Sequence, residues 1–205
     1  MILELEYKWT LPDTCTFSAL CADEMLTKLV CARHEIDMLG RYYDTKDALF
    51  QRNRGTLRFR KENGKGIACI KLTREKSGAS ALREEYEVEA KHLIDGLHKL
   101  PDVGAPYELC IQALDEDMIY LLCETNYHRT ALEISIPSDS EPTMAELALD
   151  AGVFCRKNRR QSFQEIELEF KSGNEAVFHS FCEQFEQHFH LIPQTRSKLA
   201  RAMAV

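Results

Sequence analysis

Strict alternation of apolar and charged positions opens the chain. In the stretch ILELEYKWTL, residues 2–11, alternate positions are apolar, and the positions between them include Glu4, Glu6 and Lys8. Successive side chains of a β-strand point to opposite faces, so this pattern predicts a strand with one apolar face and one charged face.

Periodicity along the rest of the chain predicts a β-rich protein with several helices. Helical spacing of apolar residues predicts helices over 17–33, 91–100, 106–114, 174–190 and, as a final turn or two, 197–203. Alternation between short turns predicts further strands, and Asn63-Gly64 is the clearest hairpin signal. These strands cover residues 38–45, 55–61, 66–73, 83–90, 118–136, 146–150 and 162–170.

Several of the predicted strands carry charges of a single sign on one face. The acidic faces carry Glu85, Glu87 and Glu89, and Glu165, Glu167 and Glu169; the basic faces carry Arg58, Arg60 and Lys71. A solvated outer sheet face is the ordinary explanation of such alternation. Like charges at alternate positions repel, however, and a surface that needed only solubility would mix the signs. The segregation therefore indicates a divalent cation between acidic strands and phosphate groups against basic strands.

Charged faces that point inward require a closed barrel, because the apolar faces must then be covered from outside by helices. We therefore expect an α+β fold, a closed eight-stranded antiparallel β-barrel with a charged interior and flanking α-helices. The length of 205 residues fits one domain that spans residues 1–205.

Composition and charge limit the binding partners and the cellular location that we expect for the protein. The net charge of −7 argues against a general DNA-binding surface, and no apolar run approaches the roughly 18 residues of a membrane span. The first strand begins at Ile2, which leaves no room for a signal segment. The eight cysteines are scattered, without a C-x-x-C pair, and fit reduced thiols. We expect a soluble, cytoplasmic protein.

A series of short motifs, in chain order, resembles the CYTH domains, or triphosphate tunnel metalloenzymes. The motifs are E-x-E-x-K at 4–8, YYDT at 42–45, GTLRFR at 55–60, Lys71, REEYEVE at 83–89, Arg129, ALDAG at 148–152, EIELE at 165–169 and SKLAR at 197–201. ALDAG is similar to an L-D-x-G turn of the family. The resemblance covers nearly the whole chain and is closest in pattern to bacterial inorganic triphosphatases. The basic stretch CRKNRRQ, 155–161, matches no motif, and we expect a solvated loop there.

This resemblance implies an eight-stranded tunnel that binds a triphosphate together with Mg²⁺ or Mn²⁺. The metal ligands that it implies are Glu4, Glu6, Glu167 and Glu169. The triphosphate contacts that it implies are Lys8, Arg58, Arg60, Lys71, Arg129, Lys198 and Arg201. Glu85 and Glu87 are predicted to orient the attacking water, directly or through a second metal ion, and Lys198 to close over the tunnel or meet the leaving group.

Hydrolysis of inorganic tripolyphosphate is the predicted reaction, and three alternatives stay open. A class IV-type adenylyl cyclase would use the same charged residues to make cyclic AMP and pyrophosphate from ATP, and a thiamine triphosphatase would hydrolyse a different triphosphate. A non-catalytic polyphosphate-binding module is the third. A nucleoside pocket would distinguish the cyclase from the hydrolase, but Tyr42, Tyr43 and Tyr127 fit a pocket and a protein core equally well. We expect a monomer or a homodimer, with neither DNA nor a membrane as partner.

Overall fold

The computed structural model describes residues 2–77, 80–115, 119–139 and 141–205. Over these residues the dominant element is one antiparallel sheet of long strands. The strands are β1 Ile2–Thr10, β2 Val30–Asp44, β3 Gly55–Glu62, β4 Lys65–Ser77, β5 Ser80–Glu89, β6 Tyr120–Ile136, β7 Thr143–Arg156, β8 Arg159–Ser172 and β9 Ile192–Pro193. Met118, where the sequence predicts the start of β6, lies outside the described residues.

The sheet closes on itself. Its hydrogen-bonded order is β5-β4-β3-β2-β6-β7-β8-β1, and β1 also pairs with β5, so that eight strands form a barrel. The short strand β9 was not predicted; it extends the sheet from the end of β1, opposite Trp9 and Thr10. The predicted closed eight-stranded antiparallel barrel is confirmed.

Short helices lie outside the barrel or at one of its ends. They are α1 Phe17–Ala22, α2 Glu24–Thr27, α3 Leu49–Arg52, α4 Leu93–Lys99, α5 Tyr107–Asp115, α6 Glu175–His188 and α7 Lys198–Ala202, with a 3-10 helix at Leu100–Val103. Over the described residues, no helix combines the length and the apolar character that crossing a membrane would need.

Apolar strand faces point outward and are buried under these helices. Trp9 of β1 is fully buried in one cluster with Phe178 and Phe185 of α6, and its indole Nε1 donates to Glu186 Oε2 at 2.6 Å. A second cluster joins β3, β4 and β5 to α4 and α5. Burial of the apolar faces on the outside leaves the opposite, charged faces for the barrel interior.

The Asn63-Gly64 hairpin forms as predicted. Both residues have positive φ, 47° and 88°, which is the backbone of a two-residue turn that suits twisted strands. This turn pairs Glu62 with Lys65, and the register then places Arg58 opposite Cys69.

The single helix predicted over residues 17–33 is wrong: the chain forms two short helices that end at Thr27, and the last residues of this range are a strand. Asp23 ends α1 with an extended backbone and caps α2, because its side chain accepts from Met25 N at 2.8 Å. From Val30 onward the chain is strand β2, which pairs with β6 along nearly its whole length. Long-range pairing thus overrides a local helical spacing.

Two further local predictions are also corrected. The strand predicted at 146–150 is part of β7, which continues through residues 151–152 without the turn that the resemblance implied; there Gly152 lets the backbone of Tyr127 approach within 2.4 Å of an ideal Cβ position. The basic stretch 155–161 is a β-hairpin rather than a loop, with Arg156 paired to Arg159 and Lys157 at φ 53°.

One end of the barrel interior is apolar. Phe154, Phe163 and Ala202 pack there with Tyr42 and Tyr127, and α7 contributes Ala202 to this cluster. The prediction of a charged interior therefore holds for the rest of the barrel and not for this end.

Candidate functional site

The barrel encloses a cavity of about 470 Å³. All of the predicted site residues except Arg201 line it: Glu4, Glu6, Lys8, Arg58, Arg60, Lys71, Glu85, Glu87, Arg129, Glu167, Glu169 and Lys198. Among the described lining residues, eight carboxylates face eight Lys and Arg side chains. Without a ligand these charges balance, so an anion and its counter-cations can enter together without leaving a large net charge.

Arg58 and Arg60 of β3 form the basic side of the cavity together with Glu87 of β5. The Arg60 guanidinium donates two hydrogen bonds to Glu87: Nη1 to Oε1, and Nη2 to Oε2 at 3.0 Å. Burial alone would raise the pKa of Glu87, but Arg60 and Arg58 outweigh it and lower the pKa to about 2. Glu87 is therefore ionised at neutral pH.

Arg58 is the least neutralised cation of this group. Its nearest carboxylate oxygen, on Glu87, is 3.8 Å from Nη2. Its Nε is buried and has no hydrogen-bond partner among the described residues. A buried guanidinium nitrogen without an acceptor is costly, so the position favours an anionic ligand that supplies one.

Lys71 of β4 links two acidic strands. Its Nζ is 2.7 Å from Glu4 Oε1 and 3.0 Å from Glu85 Oε1. Burial alone would lower the pKa of Lys71, but Glu4 and Glu85 raise it above its usual value. Lys71 is therefore a fixed positive charge on the cavity lining.

The buried ion cluster consists of Arg129, Asp150, Glu165, Glu167 and Lys198. Lys198 Nζ contacts all three carboxylates, at 2.8 Å from Asp150 Oδ2 and 2.9 Å from Glu167 Oε1, and Glu165 and Asp150 are fully buried. Arg129 holds Asp150 with two bonds, at 2.7 and 2.8 Å. Burial alone would raise the pKa of Glu167, but Lys198, Lys8 and Arg129 hold it well below its usual range. The cluster ties α7 to β6, β7 and β8.

Arg201 lies behind the cavity wall. Its guanidinium binds Glu165 and stacks over the rings of Phe154 and Phe163, at 5.0 and 5.5 Å from their centroids. Lys198 and Arg201 do share a face of α7, since both contact Glu165. The position suits a role in holding Glu165 and α7; the predicted phosphate contact of Arg201 stays a prediction.

The acidic wall consists of Glu4, Glu6, Glu146 and Glu169. Glu6 is opposite Glu169 in the β1–β8 pair, and Glu169 is opposite Glu146 in the β7–β8 pair, so three carboxylates follow one another across neighbouring strands. Burial raises the pKa of Glu169, and Lys171, 2.8 Å away, offsets this only in part. Glu146 makes no ion pair or side-chain hydrogen bond with the described residues.

The acidic wall has the donor set that a hard divalent cation prefers. Mg²⁺ binds carboxylate oxygens and usually retains waters and substrate phosphates. Like charges directly opposite one another on a sheet are destabilising, and here they are only partly neutralised by the chain itself. The residues present therefore fit a divalent metal ion.

Two other groups of possible ligand atoms fit a metal less well. Asp150, Glu165 and Glu167 lie close together but are already neutralised within the buried ion cluster. Cys69, Glu85 and Glu87 form the second group, in which burial raises the pKa of the Cys69 thiol and keeps it protonated. A neutral thiol is a poor ligand for a hard cation.

Apolar side chains also reach the cavity. Ile36, Met38, Tyr42 and Tyr127 line one part of it, whereas Tyr43 packs against the outer cluster under α4 and α5. The cavity thus combines a charged section with a smaller aromatic and aliphatic section.

Sequence reasoning missed four charged residues of the cavity. Glu62 follows Arg60 by two positions, Arg83 shares a strand face with Glu85 and Glu87, Lys171 follows Glu169 by two positions, and Glu146 precedes Asp150 by four. Alternation along each strand contained the signal for all four. Their neighbours across the sheet, however, depend on register, which the sequence pattern does not specify.

Comparison with solved structures finds the same fold in several proteins. A Hippeastrum protein, HpAC1, described as a candidate adenylyl cyclase with a dominant triphosphatase activity, is 17% identical over 98% of this chain and 95% of its own, with a TM-score of 0.63. The PH1819 protein from Pyrococcus horikoshii OT3 is 18% identical over 98% of both chains, with a TM-score of 0.58. A candidate adenylate cyclase from Vibrio parahaemolyticus is 12% identical over 99% of this chain and 98% of its own, with a TM-score of 0.56. These likenesses show a shared fold.

Sequence comparison identifies the family. No curated protein matches the chain significantly. The signature of the CYTH domain, by contrast, matches residues 3–203, which include every strand of the barrel except the first residue of β1. The closed barrel, its charged cavity and this match agree, and the chain belongs to the CYTH domain family.

Proposed function

We propose that this protein hydrolyses a triphosphate, most specifically inorganic tripolyphosphate, with the help of Mg²⁺ or Mn²⁺. The observation that carries the proposal is the buried, unpartnered Nε of Arg58 in a cavity whose opposite side is the acidic wall. An anion with several negative oxygens, accompanied by divalent cations, complements both sides at once. The activity described for the Hippeastrum protein with the same fold adds support.

In this proposal, the Lys and Arg side chains of the cavity bind the phosphate groups of the substrate. Arg58 and Arg60 are suited to bidentate contacts with phosphate oxygens, and Lys8 and Lys71 act as point charges. Because Glu87 already holds Arg60 and Glu4 already holds Lys71 in place, these two side chains lose little conformational entropy when phosphate binds. The metal ion, held by the acidic wall, would neutralise phosphate charge and polarise the bond to be broken.

Glu85 and Glu87 remain our candidates for orienting the attacking water. With its pKa near 2, Glu87 is ionised and accepts a hydrogen bond from water, but it is a weak base. Its part is therefore to position the water for in-line attack rather than to remove its proton.

A nucleoside or thiamine triphosphate is a second candidate substrate. Tyr42, Tyr127, Met38 and Ile36 offer an apolar section that inorganic tripolyphosphate would leave unused. Adenylyl cyclase chemistry on ATP would use the same section.

Analysis of the reaction products shows which of these substrates the protein uses and which reaction it catalyses. The purified protein is incubated with tripolyphosphate, ATP or thiamine triphosphate, each with Mg²⁺ and with Mn²⁺. Phosphate release from tripolyphosphate at the highest kcat/KM is the expected result, whereas cyclic AMP with pyrophosphate would make the protein a cyclase. No product from any of the three would leave a non-catalytic polyphosphate-binding protein.

Arg58→Ala is the matched test of the site. We expect kcat/KM to fall by at least about a hundredfold, as when a fixed donor to transition-state charge is lost, with a native circular dichroism spectrum. The control is Arg41→Ala on the same sheet, because Arg41 is half exposed and pairs with Glu124 outside the cavity. Comparable activity of the two variants would remove Arg58 from the site.

We also propose a cellular compartment and an oligomeric state for the protein. All eight cysteines are free thiols, which supports a reducing compartment such as the cytoplasm. We propose a single domain over residues 1–205 that works as a monomer or homodimer, with no DNA partner.

A further inference from the structure

Arg83 lies within the acidic wall although it carries the opposite charge. It is on β5, directly opposite Glu4 of β1, and its guanidinium contacts the carboxylate of Glu6. Its side chain is 11% exposed and that of Glu6 is 4% exposed, so water screens this pair poorly.

Arg83 differs from the other cations of the cavity in what it neutralises. Arg58 and Arg60 face Glu87, and Lys198 lies in the buried ion cluster, away from the acidic wall. Three other cations do contact the acidic wall: Lys71 lies 2.7 Å from Glu4, Lys8 lies 3.1 Å from Glu6 but nearer to Glu167 at 2.6 Å, and Lys171 contacts Glu169 with a side chain that is 43% exposed. Arg83 is therefore the shielded cation whose ion pair with the described residues is made to Glu6 and is not shared with a carboxylate outside the wall.

A guanidinium and a metal ion cannot both use the same carboxylate lone pairs. Arg has five N–H donors and no acceptor, so it cannot itself become a ligand. A divalent cation that bound Glu6 would also be repelled by the Arg83 charge at short range in a poorly screened cavity.

We propose that Arg83 is a built-in counter-ion of the acidic wall, which a divalent cation must displace from Glu6, and that Arg83 thereby sets the metal affinity of the site. The inference rests on the proposed function only in taking the acidic wall as the metal site. In the metal-free protein, Arg83 stabilises Glu6. In the metal-bound protein, the same charge weakens metal binding.

Direct metal binding tests the proposal without any substrate. Mn²⁺ affinity is measured at pH 7 by isothermal titration calorimetry and by electron paramagnetic resonance, for the wild type and for Arg83→Gln. We expect Arg83→Gln to bind Mn²⁺ at least about tenfold more tightly, because one repelling charge is lost. The control, Arg74→Gln, removes a half-exposed Arg that contacts Glu84 outside the cavity, and should change the affinity less than about twofold.

Thermal midpoints provide the second readout. In EDTA, Arg83→Gln should melt below the wild type, and saturating Mn²⁺ should raise its midpoint by more than it raises that of the wild type. An equal drop with and without Mn²⁺ would indicate a purely structural role and overturn the proposal. If Arg83→Gln fails to fold, Arg83→Lys keeps the charge and should bind Mn²⁺ about as the wild type does; markedly tighter binding by Arg83→Lys would contradict the proposal.

The outcomes separate this inference from the proposed function. Tighter Mn²⁺ binding by Arg83→Gln supports the inference even if tripolyphosphate is not hydrolysed. Unchanged Mn²⁺ affinity with weaker tripolyphosphate binding would make Arg83 a phosphate ligand, which overturns the inference and leaves triphosphate hydrolysis standing.

Discussion

The acidic wall and the buried ion cluster both include carboxylates of β7 and β8, and they differ in their counter-charges. In the cluster, Lys198 and Arg129 meet Asp150 and Glu167 at 2.7–2.9 Å, and Lys198 also contacts Glu165. In the acidic wall, Lys71 contacts Glu4 and Arg83 contacts Glu6, but Glu146 has no such partner among the described residues and the pKa of Glu169 is raised by burial. A group of carboxylates is therefore a candidate metal site only where the chain leaves it short of cations. The cluster serves instead to hold Lys198 and α7 in place.

The largest effect on stability is expected from removal of Lys198, which tests directly whether the buried ion cluster is a structural unit. Lys198→Met would leave three buried carboxylates with too few cations, and we expect a loss of about 3–5 kcal/mol in the free energy of unfolding. The control, Lys171→Met in the acidic wall, removes a 43% exposed partner and should cost at most about 1 kcal/mol. Urea denaturation at pH 7 measures both. Similar small losses would show that the cluster is not a structural unit.

The pH dependence of the free energy of unfolding tests whether cations inside the barrel stabilise the ionised form of Glu87. Its pKa is lowered from 4.5 to about 2, so its ionised form stabilises the fold above its unfolded pKa, and this stability is lost as the pH falls toward 2. Glu87→Gln should therefore cost up to roughly 3 kcal/mol at pH 7 and much less near pH 2 to 3. Glu89→Gln is the control, since Glu89 is 68% exposed and pairs with Lys65. An equal cost of Glu87→Gln at both pH values would contradict the assignment.

The smallest effect is expected in the acidic wall and has the opposite sign. Glu146→Gln removes a charge that repels its cross-strand neighbours Glu169 and Glu133, so in EDTA it should raise the free energy of unfolding by about 0.2–1 kcal/mol. Added Mn²⁺ should then stabilise the variant less than the wild type, because one ligand is missing. Glu124→Gln is the control: Glu124 is also on β6 but lies outside the cavity and pairs with Arg41 at 2.6 Å. Destabilisation by Glu146→Gln in EDTA would mean that Glu146 has a structural partner.

The sequence predicted those parts of the fold that repeat along each strand. Alternation placed Glu4, Glu6 and Lys8 on the face opposite Trp9, and the barrel has these residues inside and Trp9 outside. The Asn63-Gly64 hairpin was predictable for the same reason, since two adjacent residues suffice to specify the turn. Wrong predictions came where local and long-range preferences conflict, as at 17–33, where pairing with β6 makes the chain a strand from Val30 onward.

The sequence by itself determined which residues face inward, because side-chain direction depends only on position along a strand. Tertiary structure decided which inward charges neutralise one another, because this depends on register between strands far apart in the chain. Glu167 and Glu169 are two residues apart and were alike in the sequence, yet Glu167 is held by three cations and Glu169 faces Glu6 and Glu146. The same register brings Arg83 to Glu6, across 77 positions of the chain (83 minus 6). Coulomb energies depend on distance in space, so they separate a metal site from a structural ion cluster only after the barrel has closed.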